Sequence, residues 1–382
     1  MPNMIFDRAR GQRVPVYVWA RSANEATIAQ LRHLASQPYV VARVCAMADA
    51  HVSSGVAVGT VFATESTVVP RALGGDLGCG IRATPLSIGV DALPRERLDA
   101  VVAALERVIP AGNDLHRRGV DVPASLWEGA LSTGALMHAR DRLAPRHIAT
   151  LGGGNHFLEL DRDADGAVWL LVHSGSRGLG GAIAEHHARA ASRENDVLDV
   201  RTPSGAAYLA DQTWALAFAR ANRELLTRRA LDVIAEVTGT DVHAHGDPID
   251  VHHNYVAFER WDERELLVHR KGAIGASEGT LAVVPGSMAT ASWVVRGLGC
   301  SLAFGSCSHG AGRVMTRREA HERLRVEALH REMRRVAWPS HLAKRLLEEA
   351  PAVYRDLREV LDDQTDLVDR VQRLEPIAVL KG

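Results

Sequence analysis

Clusters of metal-binding residue types, most of them rich in glycine, are the feature that most restricts this 382-residue chain. Glycine permits sharp turns and lets a ligand approach the backbone closely, so such clusters predict loops. Several adjoin short apolar runs of the β type, as where residues 169–172 end directly at His173. We therefore expect strands whose terminal loops meet at one central site. The clusters occupy residues 76–80, 152–156, 173–177, 253–255 and 306–313.

The spacing of apolar residues predicts helices mixed with short strands. The absence of a linker-like composition leaves either one large domain or two tightly merged ones, and we expect one domain over residues 1–382. The expected fold class is α+β, with a mixed β-sheet core and surrounding helices. Helices are predicted over residues 94–109, 208–237, 316–336, 340–350 and 353–374, and strands over residues 56–62, 169–173, 266–269 and 281–284.

The composition is that of a protein with a substantial core, since 46% of the residues are hydrophobic and 24% charged. No apolar stretch approaches the ~18 residues of a membrane helix, and the first residues lack a signal peptide's apolar run. We therefore expect a cytoplasmic protein without a membrane partner. The four cysteines are far apart, which argues against a disulfide framework. A net charge of −1 means that any nucleic-acid binding must rest on a local patch.

Asp76 and Cys79 lie three residues apart in a loop flanked by glycines. This spacing can turn a carboxylate and a thiolate toward one ion. The alternative is a tight turn with a buried cysteine, and the motif alone does not decide between them.

Three histidines are the other candidate ligands. His156 follows a triple glycine and Asn155, and Glu159 comes three residues later. His173 ends an apolar strand, where a hydrogen-bonded core histidine is the alternative, and His253 is followed by Asn254. Thiolate, carboxylate and imidazole groups together could hold one or two metal ions, with Cys79 able to bridge them. Ligand softness alone favours zinc.

His309 has surroundings that suit a phosphate better than a metal, because small residues precede it and Gly310 and Arg313 follow it. A neutral imidazole nitrogen can attack phosphorus, and the resulting N–P bond is labile enough to pass the group onward. We predict that His309 is a nucleophile. The alternatives are a further metal ligand or a hydrogen-bonding histidine.

Taken together and in order, these motifs resemble those of the RtcB family of RNA-splicing ligases. The resemblance extends from about residue 45 to the terminal Lys381-Gly382. Each motif is modest alone, but the ordered set is highly specific. The stretch Val52-Ser53-Ser54-Gly55 departs from the commonest family pattern. The motifs are Asp49-Ala50-His51, Gly75-Asp76-Leu77-Gly78-Cys79-Gly80, residues 152–156, residues 173–177, His253-Asn254-Tyr255, residues 269–273, Pro285-Gly286-Ser287-Met288 and residues 308–313.

The resemblance implies a GTP- and manganese-dependent ligase that joins RNA 3′-phosphate or 2′,3′-cyclic phosphate ends to 5′-hydroxyl ends, in RNA repair or tRNA splicing. The histidine matching His309 would take GMP from GTP and pass it to the RNA 3′-phosphate, and the 5′-hydroxyl would then displace GMP. An RtcB-like fold with a central dinuclear metal site is implied as well. An archease-type activator is a candidate partner, and we expect a monomer.

The family pattern also distributes the ligands. Asp76, Cys79 and His156 would hold one Mn²⁺, and Cys79, His173 and His253 the other. The residues implied to contact the guanine nucleotide are Asn155, Glu159, Ser287, His309, Gly310, Tyr354 and Lys381. Only three of the 45 Lys and Arg residues are lysines, and an ammonium group reaching a purine or phosphate would explain why Lys271 and Lys381 are among them.

The RNA contacts are expected at the motif-linked arginines Arg177, Arg270 and Arg313. The segment from Arg317 to Arg335 alternates arginine with glutamate, which is typical of a solvated helix face. Two other function classes remain open. A metal-dependent phosphohydrolase or nuclease acting on RNA ends would use the same metal cluster without a nucleophilic histidine. A non-catalytic RNA-binding or GTP-sensing protein would not need the ligands at all.

Overall fold

The computed structural model describes residues 1–191 and 196–382, and these form a mixed α/β fold, which confirms the predicted class. The strands of the described residues are β1 (Asn3–Ile5), β2 (Val16–Val18), β3 (Val41–His51), β4 (Val58–Thr64), β5 (Thr67–Val68), β6 (Gly80–Gly89), β7 (Phe157–Arg162), β8 (Ala167–Ser174), β9 (Leu198–Asp199), β10 (Ile249–His252), β11 (Asn254–Trp261), β12 (Arg264–Lys271), β13 (Ala273–Gly275), β14 (Leu281–Val284), β15 (Ser292–Gly297), β16 (Ser306–Ser308) and β17 (Val368–Lys381).

The helices lie around these strands, and several single turns of 3-10 helix connect them. The α-helices of the described residues are α1 (Glu25–Ala35), α2 (Pro70–Leu73), α3 (Arg95–Val108), α4 (Ser125–Glu128), α5 (Gly134–His147), α6 (Arg177–Ala191), α7 (Pro203–Thr238), α8 (Arg317–Arg323), α9 (Val326–Glu332), α10 (Ala343–Leu346) and α11 (Leu357–Asp362). In the described part of the chain, none of them is long and apolar enough to cross a bilayer.

A seven-stranded antiparallel sheet, in the order β10-β6-β8-β7-β17-β15-β14, positions the site. Because side chains alternate along a strand, β7 sends Leu158 and Leu160 to one face and Phe157 to the other. The face with Leu158 and Leu160 packs on α3 and α7, and the face with Phe157 packs on the segment that contains α8, α9 and α10. The sheet is therefore covered on both faces, and polar side chains on the Phe157 face are enclosed.

A six-stranded sheet, in the order β1-β2-β3-β4-β12-β11, forms the other half of the core. Its strands are antiparallel except for the parallel pair β2 and β3. Buried side chains of β3, β4 and β12 pack against β14, β15 and α11 in one hydrophobic cluster. The two sheets thereby meet beside the loop that follows β16, which carries His309.

Most of the predicted elements are present, although their ends differ. The helices predicted over 94–109 and 208–237 correspond to α3 and α7, and the four predicted strands correspond to β4, β8, β12 and β14. The prediction for residues 353–374 is wrong, because only α11 is helical there and residues 368–374 begin β17. This strand lies between β7 and β15, and its pairing with both outweighs the local helical pattern.

The prediction of one helix over residues 316–336 is also wrong, because α8 ends before Leu324 and α9 starts at Val326. The buried apolar residues explain the break. Ala320 and Leu329 both pack in the core, yet nine residues of continuous helix would place them about 180° apart. The segment predicted over residues 340–350 is likewise mostly 3-10 helix, with α10 as one short α-helical turn.

Candidate metal and nucleotide site

The five predicted metal ligands meet at one edge of the seven-stranded sheet. Cys79 directly precedes β6, His156 directly precedes β7, His173 lies near the end of β8, and His253 links β10 to β11. The register places Phe157 and Ile81 on either side of His173, while His252 pairs with Gly80. Neighbouring strands therefore bring residues from four distant parts of the chain together.

The donor atoms of this cluster converge closely. Cys79 Sγ lies 3.3 Å from His156 Nε2 and 3.3 Å from His173 Nε2. His173 Nε2 lies 3.0 Å from His253 Nε2, and Asp76 Oδ2 lies 3.4 Å from His156 Nε2. The thiol is thus central, between an Asp76–His156 side and a His173–His253 side.

Electrostatics favour neutral imidazoles at His173 and His253. Burial, followed by the charges of neighbouring histidines, holds the pKa of His173 and of His253 well below the usual value. Burial raises the pKa of Asp76, but the hydrogen bond and charge of His156 outweigh it and bring the pKa to about 2. Burial and then Asp76 raise the pKa of the Cys79 thiol well above normal.

This donor set fits a metal centre. Neutral imidazoles keep the lone pair that a metal needs, and Asp76 is ionised. A divalent cation would supply the positive charge that a buried Cys79 thiolate otherwise lacks. Cys79, His156 and His173 have donor atoms within 4.8 Å of one another, which suits coordination of one ion or of two adjacent ions.

Helix α7 fixes the segments that carry these ligands. Asn222 donates to the carbonyl of Thr150 at 3.1 Å and to the hydroxyl of Ser174 at 2.9 Å. The next residue, Arg223, has a fully buried side chain and donates at 3.1 Å to the carbonyls of both Gly78 and Ser174. Arg223 also forms an ion pair with Asp250. Two adjacent polar residues thus hold the Cys79 loop, the end of β8 and the segment before His156.

His309 lies next to this cluster, and its ring centroid is 4.7 Å from that of His253. Its Nδ1 lies 2.6 Å from Oδ2 of Asp49, a fully buried carboxylate on β3. Burial raises the pKa of Asp49, but the charge and hydrogen bond of His309 outweigh it and lower the pKa overall. Asp49 is therefore ionised and holds the His309 ring by one nitrogen.

A cavity of about 230 Å³ opens beside His309. Its lining includes His51, Phe157, Met288, Arg313 and Arg317. All seven residues predicted to contact the nucleotide lie on this one cavity: Asn155, Glu159, Ser287, His309, Gly310, Tyr354 and Lys381.

Glu349 joins several cavity residues into one charged network. This buried carboxylate lies 2.9 Å from Lys381 Nζ, 3.0 Å from Arg313 Nη1 and 2.5 Å from the Tyr354 hydroxyl. Burial raises the pKa of Glu349, but Lys381 leads the contacts that lower it overall. Lys381 is only 6% exposed, so the last strand ends in an ordered ion pair.

Two buried carboxyl groups, those of Glu159 and Asp161, lie on the enclosed face of β7. Burial, and then the Asp161 charge, raise the pKa of Glu159 well above normal, and burial also raises the pKa of Asp161. Apart from Glu159, neither oxygen of Asp161 has a hydrogen-bond partner in residues 1–191 and 196–382. The pair is therefore expected to retain a proton.

The three arginines predicted to contact RNA occupy different environments. Arg270 is 2% exposed and binds Glu259, Ser306 Oγ and the carbonyl of Phe304. This contradicts its predicted role, since a phosphate would have to displace a buried ion pair. Arg177 is half-buried beside the cluster, where Nη1 lies 3.4 Å from His156 Nδ1.

Other basic residues also differ from their predicted environments. Arg313 lines the cavity, but its guanidinium is engaged with Glu349 and the carbonyl of Glu348. Arg317, predicted to be solvated, is exposed and also lines the cavity. The prediction for Lys271 is wrong, because its ammonium binds Ser53 Oγ at 3.0 Å and the Val56 carbonyl at 2.6 Å rather than facing the cavity.

Several site residues carried little signal in the sequence. Asp49 stood out as an acid near a histidine, but nothing in the sequence linked it to His309, 260 positions away. Glu349 is one of two adjacent glutamates in a segment predicted to be helical. Asn222 and Arg223 could have been noticed as polar residues on the buried side of a long helix. Their partners, however, depend on the tertiary fold.

Comparisons with known proteins show the family to which this chain belongs. Residues 30–382 match the family described as tRNA-splicing ligase RtcB. The chain is 32% identical to RNA-splicing ligase RtcB of Escherichia coli K12, over 99% of this chain and 100% of the relative. It is also 32% identical to RNA-splicing ligase RtcB of Mycobacterium tuberculosis, over 92% and 100%, and 28% identical to tRNA-splicing ligase RtcB of Nanoarchaeum equitans, over 97% and 95%. Since the family match spans nearly the whole chain, this chain belongs to the RtcB family.

Proposed function

We propose that this protein is an RNA ligase that uses GTP and manganese to join an RNA 3′-phosphate or 2′,3′-cyclic phosphate end to a 5′-hydroxyl end. The observation that carries the proposal is the position of His309. It contacts a buried carboxylate on one side, adjoins the Cys/His cluster on another, and lines a cavity large enough for part of a nucleotide.

Asp49 makes His309 a nucleophile. A carboxylate can only accept a hydrogen bond, so the proton of a neutral His309 ring lies on Nδ1 and Nε2 keeps its lone pair. Nε2 would attack the α-phosphorus of GTP, and the bond to pyrophosphate would break. The Asp49 carboxylate stabilises the positive charge that develops on the ring.

The second and third steps transfer GMP and seal the RNA. An oxygen of the RNA 3′-phosphate would attack the GMP phosphorus and release His309. The 5′-hydroxyl oxygen would then attack the RNA 3′-phosphorus, and GMP would leave with the bonding electrons. A 2′,3′-cyclic end would first be opened to the 3′-phosphate.

The metal ligands in this proposal are Asp76, Cys79 and His156 for one Mn²⁺, and Cys79, His173 and His253 for the other. Bound manganese would polarise the phosphates and neutralise the charge that builds up on them. Arg223 and Asn222 would keep the ligand segments in place.

Guanine and phosphate recognition is assigned to the cavity. Asn155, Glu159, Ser287, Gly310 and Tyr354 would contact the nucleotide by hydrogen bonds, and Lys381 would supply a charged partner. Arg177 and Arg313 remain the proposed RNA contacts, whereas the burial of Arg270 removes it. We further propose that the protein acts in the cytoplasm as a monomer, with an archease-type activator as a candidate partner.

A metal-dependent phosphohydrolase or nuclease is the second candidate, because the same cluster could activate water. The contact between Asp49 and His309 disfavours it, since hydrolysis needs no oriented histidine nucleophile beside the metal ligands.

Covalent labelling would test the proposal. The wild-type protein and its His309→Ala, Cys79→Ala and His245→Asn variants would be incubated with α-labelled GTP and Mn²⁺ and then denatured. We expect label on the wild type and on His245→Asn, which changes an exposed histidine, and none on His309→Ala. Cys79→Ala should label weakly or not at all.

Absence of label on the wild type with each of Mn²⁺, Zn²⁺ and Mg²⁺ would overturn the nucleophile assignment. Release of phosphate or shorter RNA without GTP would then favour the hydrolase. Labelling with Zn²⁺ alone would retain the ligase but contradict manganese dependence.

A further inference from the structure

We propose that His51 is the general base of the sealing step and accepts the proton of the RNA 5′-hydroxyl group. This inference rests on the proposed ligase function and adds a catalytic residue to it. His51 stands at the end of β3, two residues after Asp49, and lines the cavity that contains His309.

The hydrogen bonding of His51 determines which of its nitrogens is basic. Nδ1 lies 2.9 Å from the backbone carbonyl of Asp49. A carbonyl has no proton to donate, so Nδ1 carries the hydrogen of the neutral ring and Nε2 keeps a free lone pair. Within the described residues, the side-chain hydrogen bond of His51 is made through Nδ1 and not through Nε2. Nε2 of His51 can therefore accept a proton.

The surroundings of His51 keep the ring neutral. Burial is the main cause that lowers its pKa, and the positive charges of His309 and Arg355 act in the same direction. The Asp49 carboxylate and the hydrogen bond to its carbonyl oppose this shift but do not reverse it. These groups lie on β3, on the loop after β16 and on the segment before α11. At neutral pH the lone pair of Nε2 is consequently available.

The backbone on both sides of His51 is held in place. Arg355 donates to the carbonyl of Ala50 at 2.9 Å, and His51 itself pairs with Val58 on β4. The loop between these strands is anchored by the Lys271 ammonium, which donates to Ser53 Oγ, the Ser54 carbonyl and the Val56 carbonyl. These three contacts account for a lysine at position 271, since an ammonium group can donate three hydrogen bonds. A general base needs such fixed geometry, because proton transfer requires hydrogen-bond distance to the hydroxyl.

The other bases of the cavity are already engaged. His309 is bound to Asp49, and His173 belongs to the Cys/His cluster. Glu159 is paired with Asp161, and burial is the main cause that raises the pKa of Glu159 well above the usual value. Among the described lining residues, His51 is the remaining neutral base. Besides burial, the charge of His309 lowers the pKa of His51, so the two rings are near each other.

In the sealing step, His51 accepts one proton and GMP is the leaving group. As O5′ of the incoming RNA strand bonds to the 3′-phosphorus of the guanylylated strand, its proton moves to Nε2 of His51. The bond between that phosphorus and the oxygen of GMP breaks, and GMP leaves with the electron pair. Protonated His51 then returns its proton to solvent.

The test separates sealing from guanylylation. One assay measures labelling by α-labelled GTP, and the other measures joining of RNA that already carries a 3′-GMP-activated end to 5′-hydroxyl RNA in the absence of GTP. His51→Asn removes the base, while its side-chain amide can still donate to the Asp49 carbonyl. His245→Asn is the matched control at an exposed histidine.

We expect His51→Asn to label like the wild type but to seal about 100-fold or more slowly, the range of general-base catalysis. The wild-type sealing rate should rise with pH on an acid limb below the usual histidine range and then level off. His51→Asn should lose this limb, and added imidazole should partly restore sealing in His51→Gly.

Sealing of activated RNA by His51→Asn at the wild-type rate would overturn the assignment. An equal loss of labelling and sealing would overturn it as well, because it would indicate a structural role. A wild-type protein that neither labels nor seals would contradict the proposed function itself.

Discussion

The Cys/His cluster and the adjoining cavity solve the problem of buried polar groups in different ways. In the cluster, neutral imidazoles and a thiol point at one another, with His173 Nε2 only 3.0 Å from His253 Nε2. In the cavity, opposite charges are paired, with Glu349 contacting both Lys381 and Arg313. The cluster is therefore incomplete without a cation, whereas the cavity is internally satisfied.

The two regions are also held in place by different kinds of contact. The cluster depends on α7, whose Asn222 and Arg223 hold backbone carbonyls next to the ligands. The cavity depends on side-chain ion pairs contributed by residues 313–381, including Lys381 at the end of β17. A rigid backbone scaffold suits metal ligands, while a charged network can exchange partners when a phosphate or base arrives. Three substitutions test this contrast.

The largest effect is expected from Arg223→Met. Its guanidinium is fully buried, and removal would leave Asp250 with Arg82 as its remaining ion-pair partner and would take one donor from each of the carbonyls of Gly78 and Ser174. Breaking a buried ion pair costs about 3–5 kcal/mol of unfolding free energy, which denaturant titration would measure. Arg228→Met, on the exposed side of the same helix, should cost about 1 kcal/mol or less. Similar losses for the two variants would contradict the scaffold role of Arg223.

An intermediate effect is expected from Lys381→Met, and it should be confined to the cavity. Glu349 would keep Arg313 and Tyr354 as partners, so the fold should persist. Loss of one charged contact should weaken GTP binding about 10- to 100-fold, measured by calorimetry with Mn²⁺ present. Co²⁺ binding, followed by its visible absorption, should not change. The control is Lys344→Met at an exposed lysine. A parallel loss of Co²⁺ binding in Lys381→Met would show that the cavity and the Cys/His cluster are not independent.

The smallest effect is expected from Asp161→Asn, as a change in the pH dependence of stability. Burial raises the pKa of Asp161 in the folded protein, so folding favours the protonated acid. This contribution is full below the unfolded pKa of about 3.9 and is lost as pH rises through the folded pKa. Asp161→Asn should therefore melt about 2 °C or more above the wild type at pH 8, with a smaller difference at pH 5.

Asp165→Asn, in the exposed turn after β7, provides the control for that experiment. It should melt like the wild type at both pH values. If Asp161→Asn showed the same difference from the wild type at pH 5 and pH 8, the Glu159–Asp161 pair would not retain a proton.

Local patterns were enough to find the metal ligands and the nucleophile as candidates. Cys79, His156 and His173 are marked by glycines or by the end of an apolar strand, and these signals lie within a few residues of each other. The same is true of α3, whose apolar spacing is regular. The prediction of one helix after Thr316 was wrong, because the helix breaks at Leu324. The break allows apolar residues on both sides of it to pack in the core, and no local sequence pattern indicates this.

The arginines illustrate what local patterns lack. Arg270 and Arg317 each have a basic residue beside them in sequence, yet Arg270 is buried against Glu259 and Arg317 lines the cavity. Lys271 follows Arg270 and anchors the loop after His51. Whether a cation meets solvent, a carboxylate or a backbone carbonyl is settled by tertiary contacts, such as that of Lys271 with Ser53, 218 positions away.

The sequence by itself determined the fold class, the candidate ligands and the choice of His309 as candidate nucleophile, because glycine turns and apolar runs are local properties. The tertiary structure decided the contacts that make these residues a site. Asp49 reaches His309 across 260 positions, Asn222 reaches Thr150 across 72, and Lys381 reaches Glu349 only because β17 enters the sheet beside β7. Such contacts follow from strand register and helix packing, which emerge only when the whole chain buries its apolar surface.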